Sequence, residues 1–152
     1  MRVVLDVNIL VRANDRAAGL ARDLLRELLR QGWTILISGA MLVELARVLR
    51  YPHLQAKYKL TEADIYDYIQ FLRHVAELVV LDISLTAPIR DAADIAVVQT
   101  AIAGDADLIC TIDADFYDDA ITLFLSQVGI KVIDDIAAMR ILRASPGGGL
   151  PI

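Results

Sequence analysis

Four short stretches of this 152-residue chain place acids where stability alone gives little reason for them: Asp6 with Asn8, Glu44, Asp91 with Asp94, and Asp113 with Asp115. Ending the buried-type run Val3–Val7 on Asp and then Asn brings no evident stability gain. Glu44 stands among Met41, Leu42, Val43, Leu45 and Ala46, where an unpaired carboxylate risks burial. No sequence neighbour offers a neutralising cation except Arg90 beside Asp91. Carboxylates brought together repel and raise each other's pKa, which destabilises a fold unless something offsets the charge. A hard divalent ion does so: Mg²⁺ or Mn²⁺ takes oxygen ligands, keeps several waters and also binds phosphate. Such an ion polarises a phosphoryl oxygen and activates water, so the chemistry this set suggests is metal-assisted phosphodiester hydrolysis. Each acid also has a plainer use. Asp94 can cap a helix, Asp91 can stabilise a helix start, and Asp113 and Asp115 can shape a turn.

The elements that would position these acids follow from periodicity. Val3–Val7 reads as a buried strand, and leucines 20, 24, 25, 28 and 29 mark a helix from about Gly19 to Gln31, ended by Gly32. Residues 34–38 form a second strand. A helix over about 40–49 stops at Tyr51-Pro52, and Thr61–Asp64 reads as a capping box opening a helix to about Ala76. A strand at 78–81, a helix at 94–103 closed by Gly104, and a strand at 107–111 follow. A short helix near 117–126, a strand at 131–133 and a helix at 134–143 complete the pattern. Alternating strands and helices with near-continuous apolar strands predict an α/β domain over residues 1–143: a central, mostly parallel sheet flanked by helices on both faces. Residues 144–152, ending Ser145-Pro146-Gly147-Gly148-Gly149-Leu150-Pro151-Ile152, read as a flexible tail. In such a sheet the strand C-termini and the following helix N-termini share one edge, and ligands bind there at the topological switch point. All four acidic stretches fall on that edge.

Composition narrows the class further. The chain is 57% hydrophobic and 23% charged, which excludes disorder for its bulk. No apolar run is long enough to span a membrane, and Asp6 and Asn8 interrupt any signal-peptide core, so a cytoplasmic protein without a membrane partner is expected. The single Cys110 excludes an intrachain disulfide, and two histidines make a structural zinc site a poor reading. Net charge is −5, but residues 1–60 carry ten Lys/Arg against five Asp/Glu, and residues 61–152 five against fifteen. A basic half and an acidic half could grip phosphate and cation respectively, or could be ordinary surface charge.

Together the stretches resemble the PIN-domain family. Leu5-Asp6-Val7-Asn8-Ile9-Leu10-Val11 looks like its opening motif. Ser38–Leu49 is similar to the second, centred on Glu44. Arg90-Asp91-Ala92-Ala93-Asp94 resembles the third, and Ala103–Phe116 the fourth. The resemblance spans about residues 2–140 and is best with VapC-like toxins of toxin–antitoxin pairs. It implies that Asp6, Glu44, Asp94 and Asp113 are catalytic and hold Mg²⁺ or Mn²⁺, with Asp115 an additional ligand. Asn8, Thr111 and Asp91 would be supporting polar residues. The implied reaction is hydrolysis of RNA to 5′-phosphate and 3′-hydroxyl ends, and the implied partner is a cognate antitoxin. Two positions depart from the pattern: Ala92-Ala93 thin out the third motif, and Ile112 replaces a small or polar residue before Asp113.

Arg22, Arg26 and Arg30 stripe one face of the first long helix, with Arg12 and Arg16 before it. They can grip RNA phosphate or simply pair with Asp23 and Glu27. Arg47, Arg50 and Lys57 near Tyr51 and Tyr58 make a second patch. His53 reads as a loop residue and His74 as a helix-surface one. Tyr66, Tyr68, Phe71 and Leu72 leave the middle helix apolar on more than one face, which suits core packing, a homodimer surface or an antitoxin groove. The glycines form no phosphate loop, and no Ser or Cys nucleophile stands with a His. A receiver-type phospho-acceptor domain fits poorly, since the first strand ends in one Asp and Lys131 precedes the last strand. A non-catalytic RNA- or protein-binding module with the same fold is the alternative to a nuclease.

Overall fold

The N-terminal apolar run is strand β1 (Arg2–Leu5), which ends two residues before the expected Val7 because Asp6 caps a helix at once. The Asp6 Oδ1 accepts the Val7 N–H at 2.6 Å and starts α1 (Val7–Arg12), an element too short to show periodicity. In this computed structural model, which describes residues 1–145, there follow α2 (Leu20–Arg30), β2 (Thr34–Ser38), α3 (Gly39–Leu49), α4 (Pro52–Tyr58) and α5 (Glu62–Val75). After β3 (Glu77–Val79) come α6 (Ala92–Ala103), β4 (Leu108–Cys110), a 3₁₀ turn (Ala114–Tyr117), α7 (Asp119–Ser126), β5 (Lys131–Ile133) and α8 (Asp135–Ala144).

Tyr51-Pro52 does not simply stop α3. Arg50 caps its C-terminus, and Pro52, with no N–H to lose, opens α4 as its first residue, so His53 lies in a helix rather than a loop. The capping box of α5 is present, with the Asp64 N–H to Thr61 Oγ1 at 3.1 Å and the Thr61 N–H to Asp64 Oδ2 at 2.8 Å. Within α5, Tyr68 and Leu72 are core residues, Phe71 is half-buried and Tyr66 is exposed. Of the tail expected over 144–152, Ala144 completes α8 and Ser145 caps it, and residues 146–152 lie outside the described ones.

The sheet is parallel throughout, in the order β3-β2-β1-β4-β5. The chain steps outwards from β1 to β3, then returns past β1 to β4 and β5. With right-handed crossovers this change of direction sends the β1–β2 and β2–β3 connections over one face and the β3–β4 and β4–β5 connections over the other, with α8 packed on α2 and α3 reaching α6. It also opens a crevice between the C-terminal ends of β1 and β4. One apolar core fills both faces, with Val4, Leu36, Ile37 and Ile109 at or near zero exposure. Gly104 is closely packed: a Cβ there would stand 2.7 Å from Leu36 Cδ1, so that side chain would have to shift. None of the described helices is long and apolar enough to cross a membrane.

Candidate active site

Register brings the first and fourth acidic stretches together. Leu5 pairs with Cys110 across β1 and β4, so Asp6 and Thr111 leave the sheet side by side. Thr111 is the hub. Its hydroxyl donates to Asp6 Oδ2 at 2.6 Å, and its Oγ1 accepts the Asp113 N–H at 3.0 Å and the Asn8 side-chain amide at 3.4 Å. Tyr117, which sequence reasoning missed, donates its hydroxyl to the Thr111 carbonyl at 2.7 Å. Asp113 in turn caps the 3₁₀ turn through the Asp115 N–H at 2.9 Å.

The third stretch divides its labour. Asp91, not Asp94, caps α6, accepting the Ala93 N–H at 2.8 Å and the Asp94 N–H at 3.4 Å. The helix therefore starts at Ala92, two residues earlier than expected, and Asp94 is released from capping. Asp94 is only 8% exposed, and Asp6 4%. A second tie not foreseen runs between the buried hydroxyls of Ser38 and Thr100, 2.9 Å apart, which joins the start of α3 to α6.

The outcome is that Asp6, Asp94 and Asp113 each offer a carboxylate oxygen within 4.8 Å of the other two. They line an open cleft of about 290 Å³, together with Asn8, Glu44, Asp91 and Asp115. Burial is the main cause that pushes the Asp94 carboxyl up to about 7, followed by the charges of Asp113, Asp6, Asp91 and Asp115. Burial also raises Asp6, against the hydrogen bonds from Thr111 and Val7 that favour its charged form. The cleft is thus a concentration of negative charge, with no Lys or Arg among the described residues that line it.

The residues present fit a hard dication. The donors are all carboxylate oxygens, the type Mg²⁺ and Mn²⁺ prefer, and the burial and repulsion they bear are what such an ion relieves. Asn8 Oδ1 is buried and has no hydrogen-bond partner among the described residues, a further oxygen left over at the site.

Glu44 requires a correction. It has a neutralising neighbour after all: Arg47, one helical turn on, grips it with Nε at 3.0 Å and Nη2 at 2.6 Å. Its side chain is 25% exposed rather than buried. It lines the cleft but stands outside the three-acid cluster, as does Asp115. The four arginines expected to grip RNA are not gathered at the cleft. Arg12 pairs with the buried Asp135 at 2.9 Å, Arg22 with Asp15 at 2.9 Å and Arg30 with Glu27 at 2.6 Å. Arg26 is exposed on α2 beside Arg143 and Met139.

A family model described as PIN domain matches residues 2–115, which run from β1 into the 3₁₀ turn and hold every acid of the cleft. No curated protein sequence matches the chain. Among solved structures, a chain in the crystal structure of VapBC2 from Rickettsia felis bound to a DNA fragment from their promoter is similar in fold. Its TM-score is 0.59 at 17% identity, covering 88% of this chain and 98% of that one.

Proposed function

Since this chain belongs to the PIN-domain family, we propose that it is a divalent-metal-dependent endoribonuclease and the toxin component of a toxin–antitoxin pair. The observation that carries the nuclease reading is the convergence of Asp6, Asp94 and Asp113 within 4.8 Å, from three distant segments. These three would hold Mg²⁺ or Mn²⁺, with Glu44 and Asp115 extending the donor set along the cleft. A bound ion of this kind supplies Lewis acidity toward a phosphoryl oxygen and lowers the pKa of water. The protein's own groups orient the site. Thr111 holds Asp6 Oδ2, leaving less freedom in the carboxylate, and Asn8 is turned by its amide so that Oδ1 remains for water or substrate. Asp91 fixes the first turn of α6 and with it the position of Asp94.

Support for the toxin reading comes from the sequence resemblance to VapC-like proteins, and the fold likeness to a chain of VapBC2 agrees with it. On this reading the chain acts on cytoplasmic RNA and is restrained by a cognate antitoxin. The exposed Tyr66 and Val43, on α5 and α3, are available to a homodimer contact or to that antitoxin.

The test is cleavage of a labelled single-stranded RNA by wild type and Asp94→Asn in Mn²⁺, Mg²⁺ or EDTA, with analysis of the product ends. Metal-dependent cutting to 5′-phosphate ends, lost in the variant, is expected. A wild type that gains no thermal stability from either metal and cuts no RNA would leave a binding module as the better account. A ligand at a hundredfold excess over its Kd adds about 2.7 kcal/mol to a folded state it alone binds, so a missing shift would be informative.

A further inference from the structure

The cleft has a charge problem as a nuclease site: RNA phosphates must approach a surface lined by acids. The guanidinium tied directly to a residue lining the cleft is that of Arg47, gripping Glu44 from the exposed side of α3. Three of its five N–H groups are engaged, two by Glu44 and one by the Tyr51 hydroxyl, so one remains on each terminal nitrogen. Its side chain is 57% exposed. Its position is set from two sides, since its central carbon also lies 5.3 Å from the Tyr51 ring centroid. Tyr51 stacks in turn on the exposed His53, with centroids 6.0 Å apart and planes 28° from parallel. A cation and two aromatic rings thus run in contact outward from Glu44, which lines the carboxylate cleft. The α3–α4 junction makes this possible, because Arg50 ends one helix and Pro52 starts the next, leaving Tyr51 at the corner.

We propose that Arg47, Tyr51 and His53 form a subsite for single-stranded RNA. Arg47 meets a backbone phosphate beside the cleft, and the aromatic pair takes the neighbouring base by stacking. The chemistry is that of single-strand binders generally, in which a cation follows the backbone and π-faces accept any base without reading its edge. A duplex, whose bases are already stacked on each other, cannot use the platform. The subsite therefore confers a preference for unpaired RNA with little sequence discrimination. This inference rests on the ribonuclease reading above, and the experiment separates the two.

Binding is read by fluorescence anisotropy of a short labelled single-stranded RNA in EDTA, with cleavage in Mn²⁺ measured alongside. Tyr51→Leu and His53→Ala should each weaken binding by roughly fivefold to a hundredfold, the range for loss of one stacked base. Tyr51→Phe keeps the ring and should stay within about twofold of wild type on the same stacking argument. Arg47→Gln should weaken binding and reduce the slope of log affinity against log salt by about 0.7, one phosphate contact on a single strand. Lys131→Gln, at the opposite edge of the sheet, should change neither quantity. Thermal midpoints show whether each variant is folded, and Tyr51→Leu retains apolar bulk at the helix junction. If Tyr51→Leu and His53→Ala bind RNA as wild type does while cleavage still depends on Asp94, the subsite is wrong and the nuclease reading stands. If wild type neither binds nor cuts single-stranded RNA, both fall.

Discussion

Replacing Asp94 by Asn should stabilise the metal-free protein, and by more as pH rises. The Asp94 carboxyl is moved from an ordinary 3.8 to about 7, first by burial and then by Asp113, Asp6, Asp91 and Asp115. At about 1.36 kcal/mol per pH unit, ionising it in the folded state costs about 4 kcal/mol relative to the unfolded chain. The sign follows from proton counting. Between about pH 4 and 7 the folded state binds the proton that the unfolded state has lost, so stability falls as pH rises through that window. Below it the cost is absent, and above about 7 it is present in full. Asn keeps the shape and drops the charge. Urea unfolding in EDTA should show the variant ahead by about 1–2 kcal/mol at pH 5 and by about 2–4 kcal/mol at pH 8. Adding Mn²⁺ at pH 8 should reverse the order, because wild type regains a counter-charge that the variant binds less well. A variant no more stable than wild type in EDTA at pH 8, with wild-type stability flat from pH 5 to 8, would refute the charge argument.

Thr111→Val removes the hydroxyl that joins Asp6, Asn8 and Asp113, leaving buried partners unsatisfied. It should cost about 1–3 kcal/mol in urea unfolding and weaken metal-induced stabilisation. Arg12→Met strands the Asp135 carboxylate, which is 7% exposed, and should cost about 2–4 kcal/mol. The double variant Arg12→Met/Asp135→Leu should recover much of that loss, and a double-mutant cycle showing no coupling would count against a buried pair. Gly104→Ala drives a Cβ to 2.7 Å from Leu36 Cδ1 and 3.1 Å from the Thr100 carbonyl oxygen, so a loss of about 1–3 kcal/mol in thermal or urea unfolding is expected.

Much of the architecture is legible before any coordinate is known. Apolar period separates the five strands from the long helices, and alternation of the two dictates a parallel sheet, whose edge rule sends Asp6, Glu44, Asp94 and Asp113 to one side. What periodicity cannot see is short. Helices α1 and α4 have six and seven residues, fewer than two turns' worth of pattern, and each begins on a local device, an Asp cap or a proline. Nor does spacing along the chain tell which acids meet. Glu44 lies in the right motif, yet a guanidinium three residues on reaches it first, because positions one turn apart share a helix face. Arg12 finds Asp135, 123 residues away, by packing α1 near the start of α8, which no stripe on a helical wheel foretells. The convergence of Asp6, Asp94 and Asp113 required the β1–β4 register, the Thr111 hydroxyl and the release of Asp94 by Asp91. Residue types and order specify which chemistry is available, and distances of a few ångströms between segments a hundred residues apart specify which of it is assembled.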